Sequence, residues 1–308
     1  MLPEVEAWLR SRTSSAADWP LEALLERKGD TTISVVLPAR DERETVGEIV
    51  GVIRRELRAL VDEVVVIDSR SSDDTAVVAA RAGASVHAQD EILPDLKPLD
   101  GKGEALWKSL AVTSGDLLAF IDADLRDFRS SMVTGLLGPL LSDPSVVYVK
   151  GSYDRPLLGA PTGGGRVTEL VARPLINMHW PELAGFVQPL AGEYAGRRSA
   201  LERVPFVTGY GVELGLLVDL YELAGLDALA QVDLGSREHS HQSTEALGGM
   251  AGQIMLAAWS RLERQGKMIP LHEPSVRLSQ FRRNERGHHV LTRNVSVAER
   301  PPMITLAG

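Results

Sequence analysis

The chain has 308 residues, 44% hydrophobic and 24% charged, a size and balance suited to one large α/β domain or two modest ones with a substantial core. Lys plus Arg total 33 against 42 Asp plus Glu, a formal net charge of −9. That balance argues against a nucleic-acid partner but leaves room for small anions held by a local cluster of donors. Cysteine is absent, which excludes disulfides, Cys-ligated zinc, thiol catalysis and iron–sulfur sites. No apolar run approaches the roughly 20 residues of a membrane span, and MLPEVEAWLRSR lacks a basic-then-apolar leader pattern. The expectation is a cytoplasmic protein with no membrane partner.

Residues 1–30 predict short amphipathic helices, with Val5, Trp8 and Leu9, then Leu21, Leu24 and Leu25, linked at 13–17. Apolar runs at 33–39, 64–67, 84–88 and 116–121 predict buried strands. Between them, 46–53, 75–82 and 104–112 carry apolar residues at helical spacing. This alternation implies an α/β fold with a parallel, doubly wound, Rossmann-like sheet. Ligands on such sheets sit beyond the C-terminal strand ends, and polar clusters follow Leu37, Ile67 and Ile121. Beyond residue 150 the texture changes. A strand is expected at 146–150, a glycine-rich loop at 163–166 opening a helix at 167–172, a loop at 205–215, a helix at 214–224 and a strand at 230–234. A helix at 244–264 closes the compact part, and the Arg-, Pro- and His-rich tail has weak periodicity. No internal repeat is present.

Five groups carry chemistry. Asp122-Ala123-Asp124 ends a strand, and two carboxylates so spaced can share a hard cation; a turn or helix cap is the plainer alternative. Gly101-Lys102-Gly103 opens a helix, where free N–H groups favour an anion, although an exposed loop lysine is the commoner case. Gly163 to Thr168 combines backbone freedom with the guanidinium fork of Arg166, or is only a hinge and cap. His239 lies in a polar loop with Arg237 and His241, and neutral imidazole can complete a cation's sphere. Glu213 sits on an otherwise apolar helix and must be paired or functional.

SVVLPARDE, IDSRSSDDT and the strand ending in Asp-Ala-Asp together resemble the nucleotide-sugar domain of GT-A fold glycosyltransferases. The resemblance implies a base pocket lined by Pro38, Ala39, Arg40 and Glu42, with Asp68 and Ser69 opposite. It places Asp122 with Ala123 toward the ribose and gives Asp124 to a divalent metal. GKGEALW, GGGRVTELVARPL, QPLAGEY and GYGVELGLL occur in order and resemble glucosyl-3-phosphoglycerate synthases and their mannosyl-3-phosphoglycerate relatives, from about residue 20 to 255. Arg300-Pro301-Pro302-Met303 also matches.

That family implies a retaining transfer of a hexose from a nucleotide diphosphate sugar to the 2-hydroxyl of 3-phosphoglycerate, with Mg²⁺, for which Mn²⁺ or Co²⁺ can substitute. Asp124 and His239 would coordinate the metal, and Lys102 would contact the nucleotide. Gly164, Gly165, Arg166, Val167, Thr168 and His241 would bind the acceptor. Glu213 and Tyr210 would line the hexose, and Leu190 would offer its carbonyl near the reacting hydroxyl. The implied organisation is an N-terminal helical segment (1–30), a nucleotide-sugar subdomain (31–150), an acceptor subdomain (151–265), with a helical C-terminal part, and a tail (266–308) suited to contacts in a homodimer. Three departures leave the donor open: Asp-Ala-Asp for Asp-Ser-Asp, Arg40-Asp41 for Leu-Asn, and His241 for Asn. Uracil and guanine both remain as bases, and glucose and mannose as sugars. Nucleotidyl transfer onto a sugar phosphate is a further alternative, but 38–44 lacks the glycine-rich loop it uses. A non-enzymatic scaffold would not need Asp124, His239, Arg166 and Glu213 together.

Overall fold

A computed structural model describes residues 1–154, 156–157, 160–163, 165–237 and 243–306. Helices α1 (Pro3–Ser11) and α2 (Leu21–Lys28) form as the apolar spacing requires. The stretch between them is more than a linker. It contains strand β1 (Thr13–Ser15), closed by Asp18 accepting from the Ser15 N–H and Ser15 accepting from the Ala17 N–H. The alternating region follows: β2 (Ile33–Ala39), α3 (Val46–Glu56), β3 (Glu63–Asp68), α4 (Thr75–Arg81), β4 (Ser85–Ala88), α5 (Lys102–Val112) and β5 (Leu117–Phe120). Helix α6 (Ser130–Ser142) stands where sequence gave no helix, because Gly135, Gly138 and Pro139 hide it. Burial of Met132 to Leu140 overrides their weak propensity.

The second half comprises β6 (Tyr148–Asp154), a hairpin of β7 (Pro156–Leu157) and β8 (Ala160–Gly163), a π-helical turn (Thr168–Ala172) and α7 (Arg173–His179). Then come β9 (Tyr194–Arg197), α8 (Arg198–Leu201), β10 (Phe206–Val207), α9 (Val212–Ala224), β11 (Leu229–Ser236) and α10 (Thr244–Arg264). The tail is not aperiodic: β12 (Arg277–Asn284) and β13 (Gly287–Asn294) form a full-register hairpin, and β14 (Glu299–Arg300) pairs with β10.

Among the described residues one sheet has eight strands, in the order β1-β11-β6-β9-β5-β2-β3-β4. Only β9 runs antiparallel to its neighbours β5 and β6. Strands β5 and β6 are therefore parallel to each other, and the C-terminal ends of β2, β3, β5, β6 and β11 share one edge. The N-terminal end of β9 joins them there. Both faces of the sheet are covered. Val35, Leu37, Val64, Val66, Leu117 and Ala119 face a core with α3 and α6, whereas Val36, Val65, Ile67, Leu118 and Phe120 face a core with α5 and α9. Burial on both faces explains why these strands read as continuous apolar runs.

The tail is fastened to the body by a buried ion pair. Arg300 donates two 2.7 Å hydrogen bonds to Glu104 of α5, whose side chain is fully buried. Trp107 Nε1 donates to the Pro301 carbonyl at 2.8 Å. With Arg300→Met, Glu104 keeps only the 3.6 Å contact to Lys108. We expect a loss of about 3 kcal/mol or more in urea unfolding, largely recovered when Glu104→Gln is added; equal stability of the single variant and wild type would overturn this.

Candidate active site

The loops after β2 and β3 lock each other. Asp41 and Arg70 adopt left-handed backbone, at φ 59° and 63°. The Asp41 N–H donates to Ser71 Oγ at 2.9 Å, and Asp41 Oδ1 accepts from the Ser72 N–H at 2.7 Å. Arg70 pairs with both oxygens of Asp90, at 2.6 and 2.9 Å, and with Asp100. Ser69 Oγ donates to Gln89 at 2.9 Å. Pro38, Ala39, Arg40, Glu42 and Ser69 all face one cavity of about 880 Å³. Asp68 does not face it. It ends β3, takes the Ser71 N–H at 3.3 Å through Oδ2, and its Oδ1 is buried without a partner among the described residues.

The opposite wall is built from charge. Asp122, Ala123 and Asp124 follow β5, and the Ala123 carbonyl is fixed by Thr45 Oγ1 at 2.6 Å. Lys102 Nζ lies 2.5 Å from Asp122 Oδ1 and 3.1 Å from Glu213 Oε1. Glu213, in the first turn of α9, is therefore paired, and it also faces the cavity. The glycines around Lys102 serve packing. A Cβ at Gly103 would lie 1.9 Å from the Val207 carbonyl, and one at Gly101 would lie 2.5 Å from Gly209 N. They let α5 start against the 207–209 backbone, with Gly101 and Lys102 themselves lining the cavity. Gly192 is similarly constrained: a Cβ there would lie 2.2 Å from Asp122 Oδ2.

Arg237 completes the cluster. It follows β11 and is almost fully buried. One nitrogen reaches Glu193 at 2.6 Å, Tyr153 Oη at 3.1 Å and Asp122 at 3.3 Å, and the other reaches Asp124 at 2.7 Å. The protonation states follow. Burial opposes the charge on Asp122, but Lys102 and Arg237 outweigh it and hold its carboxyl well below the usual range. Burial likewise opposes the Lys102 charge, yet Asp122 and Glu213 push its pKa well above the ordinary lysine value. Burial raises Glu193, against the pull of Arg237. Glu42 is pushed up to about 7 by burial and by the neighbouring charge of Asp124.

Gly165, at φ 78°, turns the chain into the helix that presents Arg166, Val167 and Thr168 to the same cavity, which Leu190 and Tyr210 also line. The Tyr210 N–H is held by Gln253 of α10 at 2.9 Å. Gly164, His239 and His241 lie outside the described residues. Among the described residues no three carboxylates or imidazoles cluster to hold a metal. The half-exposed carboxylate of Asp124, beside Asp122, fits a hard divalent cation that takes one or two carboxylates and completes its sphere with substrate phosphates.

Sequence reasoning gave no role to Arg237, Glu193, Gln89 or Lys150. Lys150 is fully buried on β6, between Tyr194 of β9 and Gln231 of β11. Its ammonium sits 4.6 Å from the Tyr194 ring centre and donates to Tyr148 Oη at 3.4 Å. A lysine ending the apolar run Val146 to Val149, and a glutamate just before Tyr194-Ala195, were the available signals.

Comparison with known proteins places this geometry. Residues 34–168 match the family described as glycosyl transferase family 2. The glucosyl-3-phosphoglycerate synthase of Mycolicibacterium smegmatis is 46% identical over 303 residues, covering 97% of this chain and 98% of that protein. The crystal structure of mannosyl-3-phosphoglycerate synthase from Rubrobacter xylanophilus superposes with a TM-score of 0.92 at 40% identity, over 98% of both chains. Glucosyl-3-phosphoglycerate synthase from Mycobacterium tuberculosis, solved with Mn²⁺, UDP and phosphoglyceric acid, gives 0.84 at 43% identity, over 94% of this chain and 95% of that one. No helix among the described residues is long and apolar enough to cross a membrane.

Burial lowers the pKa of Lys150 from 10.5 to about 7, with Glu213 pulling up and Lys102 pushing down. Between those two values the unfolded chain binds more protons than the folded one, so stability rises with pH across that window. Lys150→Met removes the effect. The variant should be more stable than wild type at pH 7, and its advantage should shrink toward pH 10 by up to roughly 1.4 kcal/mol per pH unit. Urea unfolding at pH 7 and 9 checks this, and a pH-independent difference would refute it.

Proposed function

The chain belongs to the family of glucosyl-3-phosphoglycerate synthases, and we propose that it transfers glucose from UDP-glucose to the 2-hydroxyl of 3-phosphoglycerate with retention of configuration. One observation carries this reading: the donor loops and the 165–168 turn face a single cavity, with the Lys102–Asp122–Arg237 cluster between them. Pro38, Ala39, Arg40, Glu42 and Ser69 hold the base and ribose side, with Asp122 and Ala123 beside them. Asp124 and His239 hold Mg²⁺ or Mn²⁺, which supplies Lewis-acid stabilisation of the leaving diphosphate. Arg166, with Gly165, Val167 and Thr168, grips an acceptor phosphate or carboxylate, for which a planar fork is suited. His241 and Gly164 belong to that side too.

Lys102 pairs with Glu213 at 3.1 Å and fixes its position, so that Glu213 and Tyr210 meet hexose hydroxyls with acceptors already placed. The Leu190 carbonyl accepts from the attacking hydroxyl and orients it. Such pre-arranged charge is what a dianionic donor and a multiply charged acceptor need in order to approach each other. A homodimer accords with the exposed apolar side chains of the tail, Leu271 (96% exposed) and Phe281 (67%).

A second reading, a mannosyl transfer from GDP-mannose, is favoured by the 0.92 superposition on the Rubrobacter enzyme and by Arg40 in the base wall. Incubating the protein with Mg²⁺, 3-phosphoglycerate and a panel of UDP- and GDP-hexoses, with NMR of the product, separates the two and gives the anomeric configuration. No transfer from any donor would sink both. Asp124→Asn should abolish metal-dependent turnover. Arg166→Ala should raise the KM for 3-phosphoglycerate by roughly tenfold or more with a smaller change in the donor KM; unchanged acceptor kinetics would remove Arg166 from the site.

A further inference from the structure

Arg237 is more than a buried structural arginine. Its guanidinium bridges the two carboxylates of the Asp-Ala-Asp string, at 3.3 and 2.7 Å, and so stands as a cation between them. Asp122 already has a strong partner in Lys102, whereas among the described residues Asp124 has an ion pair only with Arg237. The two ends of the guanidinium also differ in setting. Glu193 is 1% exposed and anchors the inner end, whereas the side chain of Asp124 is 50% exposed where the outer end meets the cavity. The Nε–H is buried without an acceptor among the described residues, so the present arrangement does not satisfy all of the donors. A group whose only role was to hold the fold would have little reason to keep its outer end against a half-exposed carboxylate in the cavity wall.

We propose that Arg237 is a resident counter-cation of the metal site. It neutralises Asp122 and Asp124 when the cavity is free, yields Asp124 to a divalent ion that arrives with the nucleoside diphosphate, and turns the released N–H groups to the diphosphate. This rests on the reading of Asp124 as a metal ligand and adds an order to it: the metal enters with the nucleotide and binds weakly without it. The chemistry is matched at each stage. A guanidinium fork suits a carboxylate and a phosphate equally, so the exchange leaves no donor stranded. Glu193 keeps hold of the inner nitrogen, so the side chain pivots about a fixed end.

Two cations competing for one carboxylate give a test whose two readouts move in opposite directions. Calorimetric titration of Mn²⁺ into the full chain, alone and with saturating UDP, should show weak binding alone and strong binding with UDP. Arg237→Met should bind Mn²⁺ alone on the order of tenfold more tightly than wild type, and should bind UDP in the presence of Mn²⁺ on the order of tenfold more weakly. Arg237→Lys, with the charge but not the fork, should keep the weak binding of Mn²⁺ alone and lose UDP affinity. A merely structural arginine would lower both affinities in the Met variant, and that result overturns the proposal, as does a Lys variant with wild-type UDP affinity. Failure of wild type to bind Mn²⁺ even with UDP would instead overturn the underlying metal-site reading.

Discussion

Asp122 is gripped from two sides by cations that come from opposite ends of the fold, and the site depends on that arrangement. Lys102 begins α5, in the alternating half, and Arg237 follows β11, in the other half. They meet because β5 and β11 end at the same edge of the sheet, and β9, running backwards between β5 and β6, adds Glu193 there. Had β9 been parallel, Glu193 would lie at the far edge of the sheet. As built, its N-terminal end delivers Gly192 and Glu193 to the edge where β5 ends in Asp122. The absence of a side chain at Gly192 then lets the backbone lie against the carboxylate, where a Cβ would collide with Oδ2. Buried ion pairs are costly unless every member is satisfied, so a fixed scaffold is a condition of the cluster.

How much of this the sequence revealed follows from which forces act locally. Strands β2, β3 and β5 were legible because both their faces are buried, which writes an unbroken apolar run into the chain. The polar strings at their C-terminal ends were legible because a doubly wound sheet puts ligands there. Tyr194-Ala195-Gly196-Arg197 was not, since four residues with a glycine carry no period. Helix α6 was hidden by Gly135, Gly138 and Pro139, residues tolerated only because the surrounding core holds it. Gly138 also has a packing reason, since a Cβ there would sit 2.1 Å from the Trp19 ring. The hairpin β12–β13 was hidden by composition, as its strands are mostly polar and exposed.

The site shows the same division. Residue types that are unusual in their own neighbourhood, such as Asp122, Asp124 and Glu213, could be picked out one at a time. Arg237, Glu193 and Lys150 acquire meaning only from adjacency across β11, β6 and β9, which no local pattern encodes. The Gly-Lys-Gly string was legible only in part. Its place at a helix N-terminus pointed to an anion, and Gly101 and Lys102 line the cavity, whereas the close approach of its glycines to residues 207–209 of the chain itself was not visible. Glycine signals a tight contact without naming the partner.

The tail illustrates why a segment with weak periodicity can still be essential to a site. Two ion-pair groups hold it. Arg300 clasps Glu104, two residues after Lys102 on α5. Glu299 meets Arg261 of α10 at 2.7 Å, and Arg261 in turn holds Asp219 of α9, the helix whose first turn carries Glu213. Between these clasps and β13, Ser296 and Ala298 line the cavity, and the Ala298 carbonyl takes the Thr208 N–H at 2.8 Å. The tail thus ties the two helices that present Lys102 and Glu213 to each other. Each helix has its own anchor in that short segment, beside the 3.1 Å contact of Lys102 with Glu213. Charge carries this fastening, which is why hydrophobic periodicity does not reveal it.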